Sequence, residues 1–101
     1  MATAPGPVYA ALAAALRAER PVALVTVIEG PHVGAKLLVE PTTTLGSLGD
    51  PELDRVAARD ALAELEAGRS GVRHYGPGGQ TTPEDLDAPL VRVFVESWAP
   101  P

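Results

Sequence analysis

The chain contains no cysteine, a single lysine and few aromatic residues. Without cysteine there is no disulfide, no thiolate ligand for a metal and no thiol nucleophile. Aromatic residues make up 4% of the 101 residues, so leucine, valine and alanine must supply most of the core. Eight basic residues against thirteen acidic ones leave a net charge of −5. This balance argues against binding to nucleic acid or to an anionic membrane, and it disfavours an acidic partner.

Long hydrophobic runs are also lacking. The longest strongly apolar run, Val22 to Ile28, is far shorter than the roughly 20 residues that cross a bilayer. A second apolar stretch, Val8 to Ala18, has no basic residue before it and is followed at once by Glu19 and Arg20, unlike the core of a signal peptide. We therefore predict a cytoplasmic protein that does not contact the membrane.

The chain has the length of one domain with a single core. Residues 1–7 are predicted to be a flexible lead-in. Helical spacing predicts a first helix over Val8 to Ala18, ended by Pro21, whose buried face would carry Tyr9, Leu12, Ala13 and Leu16.

Three strands are predicted next. The run Val22 to Ile28 is rich in β-branched residues and nearly continuous, which is typical of a central strand buried on both faces. A turn containing Gly30, Pro31 and Gly34 leads to a second strand over 35–39, and a third strand follows near 44–48.

A second helix is predicted from Pro51 to about Ala67. Asp50 is a good N-cap before a proline at the first helical position, and Gly68 is placed to end the helix. The buried face is predicted to carry Leu53, Val56, Ala57, Leu62 and Leu65.

The remaining residues predict a strand over 70–75, a loop over 76–88 and a final strand over 90–98. Together these elements predict an α+β fold. We expect a small mixed or antiparallel sheet of four to five strands with two main helices packed on it.

The turn Gly46-Ser47-Leu48-Gly49 is the first candidate site, because it precedes a helix N-terminus. Its N–H groups and the Ser47 hydroxyl suit a phosphate or a carboxylate, although a plain strand-to-helix turn explains the same residues. The turn is not a Walker A loop. Asp50 and Glu52 place negative charge where an anion would sit, and with Asp54 they are the acidic residues expected in a first helical turn.

The two histidines form no recognisable site. His32 lies in a turn and His74 in a strand, and a zinc site would need a third ligand such as Glu29 or Asp50. No nucleophile elbow accompanies Ser47. We therefore predict no catalytic residue and no metal ligand in this chain.

Several of these segments carry a family resemblance. Val25-Thr26-Val27, then Gly34-Ala35, then the turn 46–49 resemble the first domain of the XdhC/CoxI family, maturation factors of molybdenum hydroxylases. Where that family usually has a glycine-rich stretch ending in Cys and Glu, this chain reads Asp50-Pro51-Glu52-Leu53-Asp54. Aligned without gaps, Glu52 falls at the Cys position and Asp54 at the Glu position, so the motif is degenerate.

The resemblance implies a function. The family binds molybdenum cofactor, supports the addition of its terminal sulfur and helps to deliver it to xanthine or carbon monoxide dehydrogenase. Sulfur relay needs a thiol, which this chain lacks. We therefore expect a non-catalytic accessory domain that contacts the cofactor or the client enzyme. The resemblance also implies that residues 99–101 begin a linker to a dinucleotide-fold domain that is absent here.

The residues expected to bind the cofactor are Gly34, Lys36, Gly46, Ser47 and Gly49. Small residues there allow close approach, and Lys36 supplies the only ammonium group for a molybdopterin phosphate. Two alternatives stay open. One is a structural or oligomerisation module, a homodimer included, with no small-molecule site; the other is part of an enzyme whose active site lies in a second domain.

Overall fold

The computed structural model describes residues 6–76, 78–79 and 90–100. The described chain contains two helices and five strands. In chain order they are α1 (Pro7–Arg17), β1 (Val22–Glu29), β2 (Lys36–Glu40), β3 (Thr43–Ser47), α2 (Pro51–Ala67), β4 (Gly71–Tyr75) and β5 (Val91–Trp98). Most of the predicted lead-in and of the predicted loop over 76–88 lies outside the described residues.

The five strands form one sheet in the order β3-β2-β1-β5-β4. Every neighbouring pair is antiparallel. The predicted α+β fold is confirmed, and of the two sheet types expected the structure has the antiparallel one. Strand β1 lies in the middle, and its first four residues are buried, as predicted for a central strand.

The two helices pack on opposite faces of the sheet. Helix α2 covers the larger cluster, in which Val25, Val27, Val93 and Val95 meet Leu53, Ala57 and Leu65. Helix α1 covers a smaller cluster that contains Ala15, Val22, Leu24 and Leu38, with the half-buried Trp98 beside it. Alternate residues of β1 and β2 therefore contact different helices.

The predicted buried face of α1 is partly wrong. Tyr9 and Leu16 are 47% and 41% exposed. Leu12 does pack against the sheet as predicted, together with Val8, Ala11 and Ala15. An alanine-rich helix is apolar on nearly all sides, so its sequence offers more than one stripe. The stripe that packs on the sheet includes Ala15, which is fully buried.

Both predicted ends of α2 are confirmed. The Leu53 N–H donates to the Asp50 carboxylate over 2.9 Å, and Gly68 ends the helix in the left-handed conformation. Of the five residues predicted to be buried, Leu62 is only partly so. The buried face also includes Ala61 and, unexpectedly, Glu64. Caps are local features, which is why sequence spacing locates them well.

Candidate functional site

The turn between β3 and α2 is held together by one carboxylate from the helix. Asp54 accepts hydrogen bonds from the Leu48 N–H at 2.6 Å and from the Ser47 hydroxyl at 2.7 Å. The Ser47 oxygen in turn accepts a bond from the Gly49 N–H at 3.0 Å. The Asp54 carboxylate thus occupies the position that an external anion would need. Such charge-assisted bonds are short and strong, so the hydrogen-bond donors of this turn are satisfied within the turn and α2.

Beside this turn lies a small open pocket at the N-terminus of α2. It has a volume of about 240 Å³. Its walls expose polar and apolar surface in nearly equal amounts, with His32 and Asp50 as the titratable groups: Val27, Pro31, His32, Leu48, Gly49, Asp50, Leu53 and Val91. The pocket joins the turn after β1 to the start of α2. It adjoins the predicted site directly, since Leu48 and Gly49 of the turn line it.

Gly49 makes this pocket possible. Its φ of +107° is a conformation that residues with a Cβ rarely adopt. A Cβ on Gly49 would also lie only 2.8 Å from the Cγ and Nε2 atoms of the His32 ring. The imidazole therefore packs directly against the glycine backbone. The sequence indicated a glycine turn here but gave no sign that His32 covers it.

The structure brings the backbone of the predicted binding residues together. Lys36 lies opposite Ser47, and the next residue of β2 lies opposite Gly46, in the β2–β3 pairing. Gly34 closes the preceding turn, where its N–H donates to the Val27 carbonyl at 2.8 Å. Gly49 follows two residues after Ser47. The expected proximity of these segments is confirmed.

The side chains of these residues reach in different directions. The Lys36 ammonium donates to the Thr26 hydroxyl at 3.2 Å and lies 5.6 Å from the centre of the Tyr9 ring, on the face that α1 covers. The Ser47 hydroxyl instead contacts Asp54 on α2. The lysine and the serine therefore do not converge on one point. That these five residues bind cofactor stays a prediction.

A second cluster, which the sequence analysis missed, joins α2 to β4. Arg73 bridges Asp60 at 3.5 Å and Glu64 at 2.9 Å, and the Tyr75 hydroxyl donates to Asp60 at 2.8 Å. Both carboxylates are largely buried, at 14% and 12% side-chain exposure. We name Asp60, Glu64, Arg73 and Tyr75 the α2–β4 cluster. It lines a cleft of about 400 Å³ at the outer side of β4.

Electrostatics in the α2–β4 cluster follow from burial and pairing. Burial first, and then the hydrogen bond to Asp60, raise the pKa of the Tyr75 phenol well above its usual range. The hydrogen bond to Glu64 raises the pKa of Arg73 further above its ordinary value. Glu64 continues the spacing of Leu53, Ala57 and Ala61 along α2. A carboxylate on that apolar stripe needs a buried partner, and this signal was available in the sequence.

Neither region holds the ligands of a metal site. Within residues 6–76, 78–79 and 90–100, no three histidine, aspartate or glutamate side chains lie close enough together to bind an ion. In the same part of the chain, no helix is long and apolar enough to cross a membrane.

The comparison with protein families gives one match. A sequence model of the XdhC and CoxI family matches residues 15–76. This range runs from the last turn of α1 through β4, so it contains the turn before α2 and all four residues of the α2–β4 cluster. No curated protein matches the chain. Because the matched range covers well over half of the chain, the chain belongs to the XdhC and CoxI family.

Proposed function

We propose that this chain is a non-catalytic accessory domain in the maturation of molybdenum hydroxylases, enzymes of the xanthine or carbon monoxide dehydrogenase type. Family membership supports the role in maturation. The absence of cysteine supports the non-catalytic part, because a persulfide cannot form without a thiol. The domain would act by contact, with the client enzyme or with the molybdenum cofactor.

The contact surface that we propose is chosen from one observation, the pocket at the N-terminus of α2. The pocket formed by His32, Gly49 and Asp50 opens beside the turn where the family motif is found, and its lining combines aliphatic side chains with an imidazole and a carboxylate. Pockets of that character hold a side chain or a small heterocycle through shape and a few polar contacts. We place the contact at this pocket and the adjacent β2–β3 hairpin.

The phosphate of a molybdopterin does not fit the turn as it is folded. Its natural donors, the Leu48 N–H and the Ser47 hydroxyl, are taken by Asp54, and the Leu53 N–H is taken by Asp50. The Lys36 ammonium lies on the other face, near Tyr9. The client enzyme is therefore the better supported partner. A cofactor would have to bind through the pocket rather than through the N–H groups of the turn.

Binding measurements with matched variants test this proposal. We would titrate the purified chain with an apo molybdenum hydroxylase and, separately, with free molybdenum cofactor. His32→Ala and Ser47→Ala should each weaken client binding at least about fivefold, which is about 1 kcal/mol; Lys36→Ala should weaken it less, because the Lys36 ammonium lies on the face that α1 covers. His74→Ala, an exposed residue of β4, is the control and should leave the affinity unchanged.

The outcomes distinguish a client-binding surface, a cofactor-binding site and a purely structural turn. Unchanged client affinity in all three variants would refute the proposed surface and leave the turn with a structural role alone. Cofactor binding that Lys36→Ala abolishes while client binding persists would show that the cofactor, not the client, is the ligand of this region. Circular dichroism spectra of each variant must match those of the parent chain.

A further inference from the structure

The outer edge of the sheet at β4 is regular and has no neighbouring strand among the described residues. Strand β4 is last in the sheet order and pairs with β5 in unbroken register from Gly71 to Tyr75. The opposite edge, β3, also keeps its register with β2, but it contains Gly46 at a φ of +97°, where a Cβ would overlap the Lys36 carbonyl oxygen. A regular free edge can pair with another extended chain, whereas a residue with a positive φ distorts the edge that contains it.

A polar cleft runs along this same edge. It has a volume of about 400 Å³, and its walls come from Asp60 and Glu64 of α2 and from all five residues of β4. The Arg73 side chain, 36% exposed, lies in this wall. A strand added beside β4 would therefore place alternate side chains over the cleft.

The charged residues that line the cleft are two largely buried carboxylates and Arg73, and two further arginines contact those carboxylates from outside the lining. Arg59 lies 3.2 Å from Asp60, and Arg69 lies 3.4 Å from Glu64, in addition to the contacts of Arg73 with both carboxylates. Three guanidinium groups thus surround two carboxylates, which leaves a net charge of +1, whereas the whole chain carries −5. The side chains of Arg59 and Arg69 are 62% and 69% exposed, so their remaining N–H groups are accessible.

We propose that β4 pairs with an extended segment of a partner protein, and that this segment directs an aspartate or glutamate side chain into the cleft. The free edge would supply main-chain hydrogen bonds to any extended chain. The arginines would select the acidic residue, because a residue placed opposite Arg73 points to the same face of the sheet. The net negative charge of the whole chain does not prevent an acidic side chain from binding here, because exposed charges interact mainly within about 10 Å.

This inference does not rest on the proposed function. The cleft beside β4 is formed with Asp60 and Glu64 from the C-terminal half of α2, whereas the His32 pocket lies at the N-terminus of α2. The two surfaces can be tested one at a time on the intact chain.

Nuclear magnetic resonance titrations with model peptides test the inference. The probes are three blocked nine-residue peptides of alternating threonine and valine that differ only in the central residue, which is Glu, Gln or Arg. Added up to about 5 mM to the ¹⁵N-labelled chain, since edge pairing by short peptides is weak, the Glu peptide should shift the amide signals of 71–75. Its Kd should be at least about fivefold lower than that of the Arg peptide.

A pair of charge-reversed variants controls for net charge. Arg69→Glu should reverse the preference, so that the Arg peptide binds more tightly than the Glu peptide. Arg20→Glu changes the net charge equally but lies beside Glu40, away from β4, and should keep the original preference. The proposal is overturned if no amide of 71–75 shifts, if the three peptides bind equally, if the shifts fall on β3, or if Arg69→Glu keeps the preference for Glu.

Discussion

Replacing Gly49 by alanine tests the geometry of the turn before α2 most directly. The substitution adds one carbon atom with two separate consequences. Alanine must adopt a φ of +107°, and its Cβ must displace the His32 ring. The first consequence belongs to the backbone, and the second belongs to a side chain in an exposed turn. The two can be measured apart.

The strained backbone should account for most of the loss in the free energy of unfolding. Holding a residue with a Cβ in a sparsely populated left-handed conformation costs about 1–3 kcal/mol. The His32 ring can turn aside, and a side chain moved off its preferred rotamer costs about 0.5–1.5 kcal/mol. Gly49→Ala should therefore lower the free energy of unfolding by about 1.5–4.5 kcal/mol. That is a large share of the roughly 5–15 kcal/mol typical of a small domain.

A matched control and a double variant separate the two terms. Gly34 has a similar φ of +93°, but a Cβ there would meet no atom within 4 Å. Gly34→Ala therefore measures the backbone term, and it should cost less than Gly49→Ala. In Gly49→Ala with His32→Ala the overlap is removed, so the second substitution should recover only about 0.5–1.5 kcal/mol.

Urea denaturation followed by circular dichroism gives these free energies. The reasoning is refuted if Gly49→Ala costs less than about 0.5 kcal/mol, a value within the range of neutral surface changes. It is equally refuted if the double variant is as stable as His32→Ala alone, because the backbone would then be unstrained.

Two further predictions concern α2 and its contact with β4. Asp50→Ala should lower the free energy of unfolding by about 0.5–2 kcal/mol, because the Leu53 N–H loses its acceptor; denaturant melts of mutant and parent that coincide would show that the cap contributes nothing. Burial and the hydrogen bond to Asp60 raise the pKa of Tyr75 in the folded chain. The contribution of the Tyr75 hydroxyl to stability is therefore complete below the pKa of about 10 that tyrosine has in the unfolded chain, and it is lost as the pH rises above that value. The stability advantage of the parent over Tyr75→Phe should therefore shrink between pH 8 and pH 11, and an advantage that stays constant over this range would contradict the assignment.

Local chemistry accounts for what the sequence predicted well. The N-cap at Asp50, the end of α2 at Gly68 and the central strand after Pro21 depend on residues adjacent in the chain. Hydrophobic runs and turn residues were enough to predict the five strands to within a few residues. The closeness of Gly34, Lys36 and the turn 46–49 followed because consecutive strands usually pair.

Side-chain direction could not be predicted in the same way. Lys36 and Ser47 are register partners, yet one contacts Tyr9 of α1 and the other contacts Asp54 of α2. Gly46, the residue before Ser47, has a φ of +97°, so the regular alternation of side chains between the two faces of a strand cannot be assumed there. The inward face of α1 was predicted only in part, with Leu12 correct, because an alanine-rich helix presents several equivalent stripes.

The sequence by itself determined the α+β class, the helix caps, the family resemblance and the exclusion of thiol chemistry, since each depends on residue type or on spacing along the chain. Only the tertiary structure decided that Asp54 closes the turn, that His32 covers Gly49, and that Arg73 joins two carboxylates on α2 to the outer strand. These contacts join residues from different elements. Their formation depends on how the helices are placed on the sheet, and that placement follows from packing the whole core rather than from any local pattern.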